Sequence, residues 1–200
     1  MNTYTIKKVS GQPDWNNIPA LSMDVCYRGQ EYGITAGAQI AYDDERLWVH
    51  LFSNETDLRT VEDGPLANSW QDSCLEFFFS PINGHTHYFN IEMTAKTALL
   101  MAFGPNRYDR MRLLPSPDTQ ALSPVANIRP DGWELFYQVP FSLIRILIPE
   151  FTVVSGQTMR ANCYKCGDET NHPHLLSWNP VDLKPTGFHT PRDFGTMIFE

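Results

Sequence analysis

Apolar side chains in this sequence recur mainly at every second position, and turn-forming residues break the pattern every few residues. Period two is the mark of β-strands, because successive side chains point to opposite faces. Fifteen prolines and twelve glycines leave little room for long helices. Strands are expected over Thr3 to Val9, Thr35 to Tyr42, Leu47 to Ser53, Ser73 to Ser80 and His87 to Met93. Ala95 to Phe103, Trp133 to Val139, Thr158 to Lys165 and Phe194 to Phe199 follow the same rule. In Leu47 to Ser53 both parities are largely apolar, which places that strand inside a sandwich. One helical turn fits Pro140 to Ile146, with Ser142 near its start. The segment Gly104 to Pro124 is long, irregular and rich in arginine, and loops of that length are often functional. The expected fold is all-β: one antiparallel β-sandwich domain over residues 1–200, jelly-roll-like, with little helix.

Charge narrows the function. Lys and Arg total 15 against 23 Asp and Glu, a net charge of −8. A nucleic-acid binder needs a basic footprint, and an anionic membrane surface attracts one, so neither partner is expected. No run approaches the roughly 20 apolar residues of a membrane-spanning helix. The first residues, MNTYTIKKVSGQ, carry no apolar run of the secretory kind, so a cytoplasmic location is expected. Four scattered cysteines do not make a disulfide scaffold. Cys163, Cys166, His172 and His174 superficially resemble a zinc cluster. A strand sends Cys163 and Cys166 to opposite faces, and the His-x-His spacing is too tight, so no metal site is expected there.

Two neighbouring strands carry the chemistry. In the stretch SWQDSCLEFFFSP, the parity that holds Trp70, Asp72, Cys74, Glu76 and Phe78 can border a hollow. Its structural alternative is a core tryptophan with a locally bonded carboxylate. On the next strand, Tyr88, Asn90 and Glu92 share one face. Sugars present hydroxyls at the ring edge and C–H groups on the faces. Carboxyl and amide groups meet the first, and aromatic rings stack on the second. A half-solvated antiparallel face alternates in the same way. A third group, Arg160, Asn162 and Tyr164, shares a later strand face. No nucleophile elbow, Walker loop or dinucleotide fingerprint is present. Glu76 and Glu92 are the one pair of carboxyls that a glycoside hydrolase reading could use.

The ordered segments SWQDSCLEFFFSP, HYFNIEM, WELFYQVPFSLI and HLLSWNP…FHTPRDFGTMIFE resemble carbohydrate-binding module family 9. That family is a β-sandwich related to the wider DOMON group. The resemblance implies sugar binding without catalysis, in a slot where two tryptophans flank a terminal sugar. It matches Trp70 to the first tryptophan, Trp178 to the second and Glu76 to the polar partner, with Lys96 near the position of a basic contact. Beside these, Asn90 and Glu92 are expected to meet hydroxyls, with Tyr164 a further contact, and Arg107 and Lys165 to close the slot. The expected ligand is a mono- or oligosaccharide, with a carbohydrate-active enzyme as a candidate partner. No cofactor is required. Some members hold structural calcium; its ligands are not assigned here, and Asp43, Asp44 and Glu45 read as a solvated hairpin turn. DOMON relatives that hold haem give a more distant alternative.

Overall fold

A computed structural model of the chain describes residues 1–114 and 121–200. Part of the arginine-rich segment, residues 115–120, therefore lies outside the described residues. In chain order the strands are β1 (Thr3–Lys8), β2 (Leu21–Ser22), β3 (Val25–Arg28), β4 (Ala36–Tyr42) and β5 (Arg46–Ser53). Next come β6 (Cys74–Ser80), β7 (Tyr88–Thr94), β8 (Leu99–Gly104), β9 (Met111–Leu113), β10 (Val125–Arg129) and β11 (Gly132–Pro140). The helix α1 (Phe141–Leu147) precedes β12 (Thr158–Gly167), β13 (His174–Ser177) and β14 (Gly195–Phe199). The expected strands and helical turn are thus present, most of them shifted by a residue or two.

Two layers form a β-sandwich. One runs β10-β11-β5-β4-β1 and the other β1-β14-β12-β6-β7-β8-β9. Strand β1 belongs to both. Its first four residues pair with β14, from Thr3↔Thr196 to Ile6↔Phe199, and its last two pair with β4. Both of these pairings are parallel, where an all-antiparallel sandwich was expected. Parallel neighbours need a long crossover, and strands from opposite ends of the sequence satisfy that without a dedicated connection.

Alternation decides what each layer buries. Leu75, Phe77 and Phe79 of β6, Phe89, Ile91 and Met93 of β7, and Leu47, Val49 and Leu51 of β5 meet between the layers. The other parity of the second layer faces outward, yet it is buried too. Cys74, Phe78, Tyr88, Tyr164 and Cys166 form a second apolar cluster with Val181, Phe188 and Phe194. The segment between β13 and β14 supplies these last three and covers that outer face. So β6 and β7 are buried on both faces at every residue. Strand β5 is covered less fully: Trp48 and Phe52 on its outer face stay partly exposed, and His50 stacks on Phe136 at 4.2 Å.

Candidate functional site

The outer face of the second layer holds a cleft of about 380 Å³. Cross-strand register builds its floor: Tyr164, Glu76 and Glu92 lie in one row across β12, β6 and β7. Cys166 and Cys74 form the next row. The short 3-10 turn Ser69–Gln71 carries Trp70 to one side. That turn is pinned at both ends. The Trp70 carbonyl accepts from the Asp168 amide at 3.1 Å, and the Gln71 carbonyl accepts from the Glu169 amide. The buried Asp72 carboxylate accepts from Arg59 and from the Glu62 amide. The opposite side comes from residues 105–112 and from the covering segment, through Arg107, Tyr108, Arg110, Phe188 and His189. Gly187 lets the two segments approach: its φ is +65°, and a Cβ there would lie 3.4 Å from Arg107 Nη1.

The polar groups are buried and mutually ordered. Glu76 and Glu92 are each 2% exposed. Cys166 Sγ donates to Glu76 Oε1 at 2.7 Å, and Asn90 Nδ2 donates to Glu92 Oε1 at 2.9 Å. Among the described residues, Oε2 of neither glutamate has a hydrogen-bond partner. Burial pushes the Glu76 carboxyl well above the usual range, and the neighbouring Glu92 pushes it further. Burial raises Glu92 to about 7, against the pull of Arg110 3.7 Å away. Arg110 Nη1 donates to Asn90 Oδ1 at 2.7 Å and to His189 Nδ1 at 3.3 Å. An arginine only donates, so Nδ1 accepts and the neutral ring carries its proton on Nε2. Burial, with Arg110 and Arg107, lowers His189 to about 2 and keeps it neutral.

The structure divides the nine residues expected at the slot. Trp70, Glu76, Glu92 and Arg107 line one cleft. Asn90 and Tyr164 sit behind it. Asn90 orients Glu92 and Arg110, while the Tyr164 ring stacks at 4.1 Å on Phe188 and its hydroxyl donates to the Phe188 carbonyl. Three expectations are corrected. Trp178 is not a cleft wall. It follows Ser177, which is in register with the outward Tyr164, so it takes the inward parity and joins the core between the layers. A Cβ on Gly195 would lie 2.5 Å from its ring. Lys165 is inward for the same reason, in register with Leu75. Its ammonium meets the Glu55 carboxylate at 2.8 Å and His174 Nε2 at 2.7 Å, entirely inside. Lys96 is exposed away from the cleft, with Nζ on the Thr60 carbonyl.

Tyr108, Arg110, Arg112, Cys166, Asp168 and His189 line the cleft and were missed. The arginine-rich segment was the available signal for the first three. No short-range pattern marks His189, which reaches the cleft from a loop.

Metal ligation is poorly served here. Sγ of Cys74 and Cys166 and a Glu76 oxygen lie within 4.8 Å of one another. Guanidinium groups share the cleft, however, and their charge opposes a cation there. Cys163 faces the inner core and Cys166 the outer cluster, so strand alternation separates them as expected. At the β4–β5 turn, Asp43 accepts from the Glu45 and Arg46 amides and from Trp48 Nε1, while Asp44 pairs with Lys8 and Glu45 with Arg46. Those carboxylates are engaged locally, as a hairpin turn requires. A larger cavity, about 630 Å³, opens beside β11. There Arg129 pairs with Glu134, while Asp24 and Asp131 also line it with no hydrogen bond or ion pair among the described residues, and no indole stands beside paired buried carboxyls as in the first cleft.

A layered β-sandwich with a polar-floored, aromatic-flanked cleft on its outer face defines a class of carbohydrate-binding domain. The chain belongs to carbohydrate-binding family 9, whose family model matches residues 14–199. It is similar to a candidate carbohydrate-binding protein from Bacteroides uniformis ATCC 8492, with 28% identity, a TM-score of 0.83 and 99% of each chain covered. It shares its fold with a family 9 module from Caldicellulosiruptor kristjanssonii. The glucose complex of that module gives 12% identity and a TM-score of 0.67 over 100% of this chain and 96% of the other. Its cellotriose complex gives 12% identity and a TM-score of 0.70 over 100% and 94%. Against curated proteins the sequence has no match.

Proposed function

We propose that the chain binds a sugar in the Trp70–Glu76–Glu92 cleft and does not cleave it. The observation that carries this reading is the pairing of two buried carboxyl groups, each with a free oxygen, beside a partly exposed indole. The free oxygens meet hydroxyls and the ring offers a face to C–H groups. The volume suits one or two sugar rings better than a polymer segment. The structural neighbours solved with glucose and cellotriose agree in fold.

A hydrolytic reading would use the same two carboxyls. A glycosidase pushes its two carboxyls apart, one kept protonated and one ionised. Here burial pushes both upward. The test is calorimetric titration with glucose, cellobiose, cellotriose and xylo-oligosaccharides, with reducing ends assayed on the same samples. Binding without new reducing ends is expected. Trp70→Ala should weaken binding about 10- to 100-fold through lost stacking and burial. Trp178→Ala should instead cost about 3–5 kcal/mol of stability as a buried aromatic, with sugar affinity kept in the folded fraction. No heat with any sugar, or turnover abolished by Glu76→Gln, would overturn the reading.

A further inference from the structure

The cleft is dominated by donors. Three guanidinium groups line it, from Arg107, Arg110 and Arg112. All hydrogen bonds of Arg110 run through Nη1, so among the described residues Nη2 and Nε have no partner. Arg107 has no hydrogen bond or ion pair among the described residues, and its Nη1 lies over bare Gly187. Arg112 makes one long contact, to the Leu66 carbonyl at 3.4 Å. His189 Nε2–H, fixed as a donor by the acceptor role of Nδ1, has no partner among the described residues. Asp168, the exposed acid that lines the cleft beside Trp70, is taken by Arg28 at 2.6 Å.

A neutral sugar would leave this set of donors under-used. Each hydroxyl both gives and accepts, so a glucose ring needs acceptors as well as donors from its site. On the glutamates, Oε1 of each already accepts from Cys166 or Asn90, which leaves one oxygen apiece for a ligand. Burying free guanidinium groups under a neutral ligand also costs desolvation with no compensating charge. An oxyanion relieves both problems, since its oxygens only accept and the planar arginine fork matches them in pairs.

We propose that the cleft selects a sugar bearing an anionic oxo group, a carboxylate or a phosphate ester, over the neutral sugar. The anion sits between Arg107 and the free edge of Arg110, and the sugar ring extends toward Trp70 and the two glutamates. This rests on the sugar-binding reading above and adds the charge of the ligand to it.

The protein is titrated with D-glucose, D-glucuronate, D-glucose 6-phosphate and inorganic phosphate, at low and at moderate sodium chloride. An anionic sugar should bind at least about tenfold more tightly than glucose at low salt. The ratio should shrink as salt rises, and it should fall to within about threefold in Arg107→Gln, an exposed position where folding is not at stake. Glucuronate and glucose 6-phosphate separate the carboxylate from the phosphate source. Glucose binding as tightly as either anionic sugar overturns the proposal and leaves sugar binding intact. Inorganic phosphate binding as tightly as glucose 6-phosphate shows a plain anion site and overturns the sugar component. If none of the sugars binds, the sugar reading itself falls.

Discussion

A single buried carboxyl shows how the site trades stability for function. Glu92 is raised to about 7, chiefly by burial. A carboxyl raised in the folded state favours folding most fully when both states are protonated, below its ordinary unfolded value near 4.5. That contribution is lost as pH rises through about 7, because the folded state then gives up a proton it had held more tightly. Glu92→Gln keeps the oxygen that accepts from Asn90 and removes the titration. It should therefore gain stability over the unsubstituted protein as pH goes from 5 to 8, by about 1–3 kcal/mol. Urea unfolding of both proteins at the two pH values measures this. An unchanged difference would mean that Glu92 does not titrate in that window.

At the scale of one strand, alternation was legible and its ends were not. The sequence pattern of β6 separates Leu75, Phe77 and Phe79 from Cys74, Glu76 and Phe78, and the structure places the two sets on opposite faces. Glu76 and Glu92 were readable for that reason. Trp178 was not, because likeness to a motif does not carry the parity of a residue near a strand end; Lys165 was expected to close the slot from a strand end, although its parity is that of the inward Ala161 and Cys163. The period runs through Ser177 and sends Trp178 inward, and Lys165 follows the inward phase of β12 despite its charge. A lysine in a core is stable only when paired. The Lys165 ammonium also lies 5.7 Å from the Trp133 ring, and Trp133 Nε1 donates to Glu55 at 3.3 Å. His174, beside it, is lowered to about 4 by burial and by the Lys165 charge. Lys165→Met or Glu55→Gln alone should cost about 3–5 kcal/mol, since either strands a buried charge. The double variant should cost clearly less than the sum of the two. Additive losses in denaturant melts would show that the pair is not coupled.

For the whole molecule, the sandwich was legible and the cleft only half so. Its floor lies on strands, where residues two apart stay together. Its far wall is made by segments whose mutual approach no local period encodes. Residues 105–112 meet the covering segment at Gly187, about eighty positions later, and only the fold brings Arg107 and His189 to one place. The parallel pairing at the seam was missed for the same reason, though both of its strands were expected.

That seam sets an order on assembly. β1 takes part in both layers, and its neighbour β14 follows it by nearly two hundred residues. While a nascent chain lacks residues 195–199, β1 holds only its two-residue contact with β4, and β12 has no partner on its β14 side. Each layer is then left with an open edge until β14 is made, the condition that invites strand addition from other chains. A chain truncated after Phe194 should therefore aggregate or be digested by protease under conditions where the chain through Glu200 resists both. A soluble, protease-resistant truncated chain would mean that the first strand closes the sandwich without the last.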